Sequence, residues 1–210
     1  MESYRKFENS GVDSISDFRR IEDKIRREIG RLFSANLRER IGITLEESEK
    51  EKFERMRTAS LKGLLFEVRE TRAKVSGLIH FDRSLVDGVV NRSLGGVADN
   101  AAASEAASAT VDKPITKIEV KIIENFASLV SGILNDSFDE VLDAGDRKER
   151  DSASFELLDA YLDLRLFAGI SADRAVQVLR YSLSWNGALA GELEIILPYT
   201  LLYYFLIDVA

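Results

Sequence analysis

Apolar residues recur at three- and four-residue steps from Phe18 through Ile21, Ile25, Ile29, Leu32, Phe33 and Leu37 to Ile41. That spacing predicts one long amphipathic helix over Asp17–Arg40. A second stripe, Ile118, Ile122, Phe126, Leu129, Val130, Ile133, Leu134 and Phe138, predicts another over Pro114–Glu140. Thr116 and Glu119 open it as a capping box, each side chain satisfying a backbone donor of the other residue. Three strands are predicted after each helix: Ile43–Glu49, Leu64–Glu70 and Lys74–Phe81, then Ser154–Phe167, Ala175–Trp185 and Leu189–Leu197. Alternation is strictest where Leu162, Leu164 and Leu166 face Asp163 and Arg165, and where Leu179, Tyr181, Leu183 and Trp185 face Arg180, Ser182 and Ser184. Asn186-Gly187 suits a type I′ hairpin turn, which needs positive φ at both central residues.

Each third strand runs into a short helix. Ser84 is the expected cap of the first, which carries Leu85, Val86, Val89, Val90 and Leu94 and ends at Gly95-Gly96. Thr200 is the expected cap of the second, which carries Leu201, Leu202, Phe205, Leu206 and Val209. Ile195–Leu202 repeats the layout of Ile79–Val86. The chain therefore reads as one α/β (α+β) domain over 17–210, built from two units of long helix, three strands and short helix. Two such units can share one mainly antiparallel sheet with the long helices on its inner face. Met1–Ser16 is expected to be a flexible lead-in. The small, polar Val97–Val111 stretch is expected to be a flexible loop, within an Ala-rich 97–113 connection between the halves.

Composition narrows the chemistry. With no cysteine in 210 residues, thiolate sites and disulfides are excluded, and a single histidine disfavours a His-based metal site or triad. A formal net charge of −7 disfavours nucleic acid and anionic membranes as main partners. The apolar stretch Leu193–Val209 is interrupted by Glu194, Pro198 and Asp208 and is too short to span a bilayer. No metal-ligand pattern, phosphate loop or nucleophile motif occurs, so neither cofactor nor metal is expected. His80, beside Phe81 in a strand, reads as a packed histidine, and Trp185 as a core or hairpin residue. The arginine-rich outer face of the first helix, from Arg20 to Arg40, reads as solvated.

Four stretches in order carry a resemblance: Ile29–Ile41 (IGRLFSANLRERI), Phe81–Gly96 (FDRSLVDGVVNRSLGG), Ile115–Ile123 (ITKIEVKII) and Ile196–Leu202 (ILPYTLL). Together they resemble the middle domain of the flagellar motor switch protein FliM, related to FliY and to the CheC/CheX chemotaxis phosphatases. The resemblance implies a CheC-like fold and a non-catalytic part of the rotor ring at the cytoplasmic face of the flagellar basal body. It implies neighbouring FliM-like subunits and FliG as partners, with the FliG-facing loop at Leu94, Gly95, Gly96, Val97 and Ala98. The family's Gly-Gly-x-Gly loop has Ala98 in place of its last glycine here, which would cost about 1 kcal/mol if that position needs positive φ. The family's peptide for phosphorylated CheY has no counterpart in Met1–Ser16, and the family's C-terminal domain, which would join FliN, is absent from this sequence, which stops at Ala210. An excised domain and a shortened relative both fit these two departures.

The resemblance also implies an enzyme alternative. CheC-type phosphatases carry Glu-x-x-Asn on the long helices, an acid and an amide on one face to orient water. Here Glu22 and Glu28 are followed by Ile25 and Arg31, Glu119 and Glu124 by Ile122 and Ala127, and Asn36 and Asn125 are preceded by Phe33 and Ile122. A type III secretion ring component or stand-alone paralogue is the other alternative.

Overall fold

The structure, a computed structural model, describes residue 7 and residues 16–58, 61–96, 113–144 and 152–207. The expected loop over Val97–Val111, with Val97 and Ala98, and most of the expected lead-in lie outside the described residues. Within that lead-in, Phe7 is buried, its ring 5.8 Å from that of Tyr199 and 5.4 Å from that of Tyr203.

The first unit comprises α1 (Ser16–Leu37), β1 (Ile41–Lys52), α2 (Phe53–Thr58), β2 (Gly63–Glu70), β3 (Val75–Asp82) and α3 (Arg83–Ser93). The second comprises α4 (Lys117–Ala144), β4 (Phe155–Tyr161), a 3₁₀ turn (Leu164–Leu166), β5 (Ala175–Trp185), β6 (Ala188–Pro198) and α5 (Tyr199–Leu206). All six strands form one sheet in the order β1-β5-β6-β3-β2-β4. Exchanging each strand for its counterpart in the other unit reverses that order without changing it, which is the signature of a pseudo-twofold repeat. Every pairing is antiparallel. Asn186 and Gly187 take φ of 50° and 85°, as the hairpin turn requires.

Both faces of the sheet are covered. On one lies the larger core, where Phe18, Ile21, Ile25, Ile29 and Phe33 of α1 are fully buried with the apolar sides of α3, α4 and α5. Phe33 meets Phe126 at 5.0 Å, which joins the two long helices. On the other face, α2 and the 3₁₀ turn bring Phe53, Met56, Leu164 and Phe167 over Leu65, Leu78, Val178 and Ile196. Two-sided coverage explains why β2 and β3 are buried along nearly their whole length rather than in alternation.

Four local expectations are corrected. The alternation at Leu162, Leu164 and Leu166 is not strand. The Asp163 carboxylate accepts from the Arg165 N–H and holds a 3₁₀ turn in which only Leu164 is buried. Ser84 does not cap α3; the Asp82 carboxylate does, accepting from the Leu85 N–H at 2.7 Å. Thr200 does not cap α5, whose N-cap is Pro198 with no side-chain bond. Ile118 and Leu129 are 67% and 40% exposed: the buried side of α4 keeps Phe126, Val130, Ile133, Leu134 and Phe138 of the predicted stripe but takes in Ile123 and Ala127. The Thr116–Glu119 capping box is present, with bonds of 2.5 and 3.3 Å.

Candidate partner-binding site

The expected site begins where α3 ends, so its rigidity is set by what holds α3. Leu85, Val86, Val89 and Val90 bury one side of the helix in the larger core. Gly88 lies against the Trp185 ring so closely that an added Cβ would stand 2.9 Å from it. Arg92 fixes the last turn three ways. Its guanidinium lies 4.2 Å above the Trp185 ring, its Nε donates to Glu39 at 2.9 Å, and its Nη1 donates to the Gly88 carbonyl at 3.3 Å. A cation over indole with a carboxylate partner is a firmer mount than either contact alone.

Past Arg92 the helix closes as a Schellman motif. The Gly96 N–H donates to Asn91 O at 2.9 Å and the Gly95 N–H to Arg92 O at 3.0 Å. Gly95 takes φ of 85°, which a side chain would resist. An added Cβ there meets nothing within 4 Å, so the strain would be purely backbone. At Gly96 the φ is ordinary, and the obstacle to a side chain is the amide of Asn91. Leu94 projects beside them, 69% exposed. Of the five expected site residues, the structure therefore brings Leu94, Gly95 and Gly96 together on a fixed, open helix end. Chemically this end offers one apolar side chain and backbone that a partner can approach closely; it holds no nucleophile, acid or base.

At the other end of α3, Asp82 and Arg83 sit in a polar network. Burial pushes the Asp82 carboxyl up, against the Leu85 and Glu192 N–H groups that donate to it. Arg83 pairs with Asp87 at 2.7 Å and with Glu119 at 3.4 Å, tying α3 to the start of α4. Nearby, His80 is buried, with Nδ1 3.0 Å from Glu194 and Nε2 3.3 Å from the Lys62 carbonyl. Glu194 also accepts from Arg180 at 2.7 Å, and Arg180 reaches on to Glu47 of β1. Burial pushes Glu194 up, but His80 and Arg180 outweigh it and hold the carboxyl below its ordinary value.

The carboxylates weighed for water activation are committed elsewhere. Glu22 accepts from Ser48, Glu28 pairs with Arg31 at 2.8 Å, Glu119 caps α4, and Glu124 pairs with Lys121. The Asn36 amide donates back to the Leu32 carbonyl. No cluster of three potential metal ligands occurs among the described residues, and no described helix is long and apolar enough to cross a membrane.

Arg92 is the contributor that sequence reasoning missed. Its role depends on Trp185, far along the chain, and only its position at the end of an apolar-periodic helix hinted at it.

The family profile of flagellar motor switch protein FliM matches residues 12–206. Among solved structures, the chain is similar to that of a FliG–FliM complex from H. pylori, with TM-score 0.75 and 15% identity over 93% of this chain and 98% of that one. It is also similar to the FliM middle domain of Vibrio alginolyticus, with TM-score 0.70 and 16% identity over 92% and 99%. Thermotoga maritima FliY gives TM-score 0.65 and 15% identity over 95% and 100%. No curated protein matches.

Proposed function

The chain belongs to the FliM family, and from that premise we propose that it is a non-catalytic component of the flagellar motor switch that binds FliG through the end of α3. The observation that carries this is the fixed, exposed Leu94-Gly95-Gly96 terminus, held by the Schellman bonds and by Arg92 on Trp185. A partner gains most from a surface already in its bound shape, because little ordering entropy is lost on docking. The site continues into Val97 and Ala98. The H. pylori neighbour, a FliG–FliM complex, supports FliG as the ligand class.

In this reading neighbouring FliM-like subunits pack beside the domain, at the cytoplasmic face of the basal body. The domain then passes a change of orientation from signalling input to the ring, which takes a rigid body with two interfaces and differential binding to two states. The engaged carboxylates on α1 and α4 support the absence of CheY-phosphate hydrolysis.

Titrating FliG into the wild-type chain and into Leu94→Asp tests the reading. Binding weakened about tenfold or more by the variant is expected, since one exposed apolar anchor at the centre of an interface commonly carries that much. Equal binding by both would overturn it. Phosphate release from phosphorylated CheY should be the same with and without the protein; clear acceleration would return the phosphatase alternative.

A further inference from the structure

Outside the two repeated units, one ring is built into the domain. Phe7 is 6% exposed, with eight residues, 8–15, between it and Ser16, where α1 begins. It packs on α5 at Tyr199 and Tyr203, which are four residues apart and so share one side of the helix. The Phe7 ring is tilted by 53° to the first and stands edge-on, at 65°, to the second, arrangements that aromatic pairs favour. Groups other than Phe7 fix the receiving side. Tyr199 is fully buried, and its hydroxyl donates to Gln177 of β5 at 3.1 Å. The Gln177 amide donates to Ser48 of β1 at 2.9 Å, and Ser48 donates to Glu22 of α1. The Lys50 Nζ lies 4.7 Å above the Tyr199 ring.

Phe7 is the only aromatic residue of 5–15, a stretch whose aliphatic side chains are Val12 and Ile15. A tether of eight residues gives such a ring a local concentration of the order of millimolar at its receptor. One aromatic contact is enough to stay seated on those terms, and small enough to exchange with a competing ring. By the repeat, the helix it seats on stands where α3 stands in the first unit.

We propose that the Tyr199–Tyr203 side of α5 is a docking site for this chain's own N-terminal segment, which acts as an exchangeable strap with Phe7 as its anchor. With Phe7 seated, the second unit offers no open aromatic side to another chain, and the end of α3 is left as the helix surface for a partner. With Phe7 released, the same two tyrosines can take a phenylalanine from elsewhere. The strap lies on α5 and not on α3, so its test does not depend on FliG binding.

The probe is an unlabelled peptide of residues 1–16, titrated up to about 1 mM into the isotope-labelled full chain while amide NMR shifts at 199–206 are followed. The Phe7→Ala chain, which has lost its own anchor, should show these shifts. The wild-type chain, whose own ring competes, should need about tenfold more peptide or show none. A peptide carrying Phe7→Ala should move neither chain. No shifts in the variant chain, the same titration in both chains, or equal shifts from the two peptides would each overturn the proposal. Chymotrypsin gives a second readout without any peptide. Cleavage after Phe7 should be about tenfold faster in Tyr203→Ala than in the wild type, and slow in Tyr203→Phe, which keeps the ring. Equal rates in all three chains would also overturn the proposal. Should Tyr203→Ala fail to fold, the titration of the Phe7→Ala chain still decides.

Discussion

Laid over one another by the repeat, α3 and α5 are the same helix used twice. Leu85, Val86, Val89 and Val90 of α3 correspond to Leu201, Leu202, Phe205 and Leu206 of α5, and all eight are buried. The N-caps correspond too, Asp82 to Pro198. The difference lies at the far end. α5 stops at Leu206, the counterpart of Val90, whereas α3 runs on to Ser93 and closes on two glycines. Beside α5, Phe7 packs on Tyr199 and Tyr203; beside the end of α3, Leu94 is bare. The repeated fold therefore does not by itself produce an exposed helix end: the extra turn of α3 and its open glycine do.

The same asymmetry crosses the centre of the sheet. On one side of the pseudo-axis Leu78 pairs with Ile196; on the other, at the equivalent positions, His80 pairs with Glu194. An aliphatic pair and a buried polar pair thus occupy matching places. The polar pair needs Arg180 and the Lys62 carbonyl to satisfy its remaining groups, and both are supplied on one side only.

The contrast can be broken from the mount outward. Trp185→Ala removes the ring on which Gly88 and Arg92 rest, and should cost about 3–5 kcal/mol in denaturant unfolding. It should also speed amide exchange at 92–96 more than at 203–207; equal effects at the two helix ends would show that α3 is not held by Trp185. Glu194→Gln should cost about 3 kcal/mol at neutral pH, because His80 and Arg180 lose a buried carboxylate. Since the Glu194 carboxyl is held below its ordinary value in the fold, its contribution is complete above the unfolded carboxylate range and fades as pH falls through the lowered value. The variant should therefore flatten the acid side of the stability profile; an unchanged acid limb would sink the assignment. Gly95→Ala, strained in φ but free of clashes, should cost only about 1 kcal/mol in thermal unfolding.

Both long helices, the strands away from the 3₁₀ turn and the twofold layout were legible in the sequence, because each rests on local periodicity. The capping box and the Asn186-Gly187 turn were legible for the same reason. What was hidden depended on partners distant in sequence. Leu162, Leu164 and Leu166 alternate as a strand would, but the Asp163 carboxylate captures the next turn, and the pairing of β4 with β2 ends at Tyr161. Ile118 and Leu129 fit the helical stripe of α4, yet only the packed fold decides how wide the buried face is. Gly95-Gly96 was readable as a helix stop; that its end is fixed by Arg92 on Trp185 was not.

Hydrogen exchange measured across the chain with and without FliG tests the central claim most directly. Protection concentrated at 92–96, with 203–207 unchanged, is the result predicted. Protection at the end of α5 instead, or equally at both helix ends, would contradict the assignment of partner binding to the extra turn of α3.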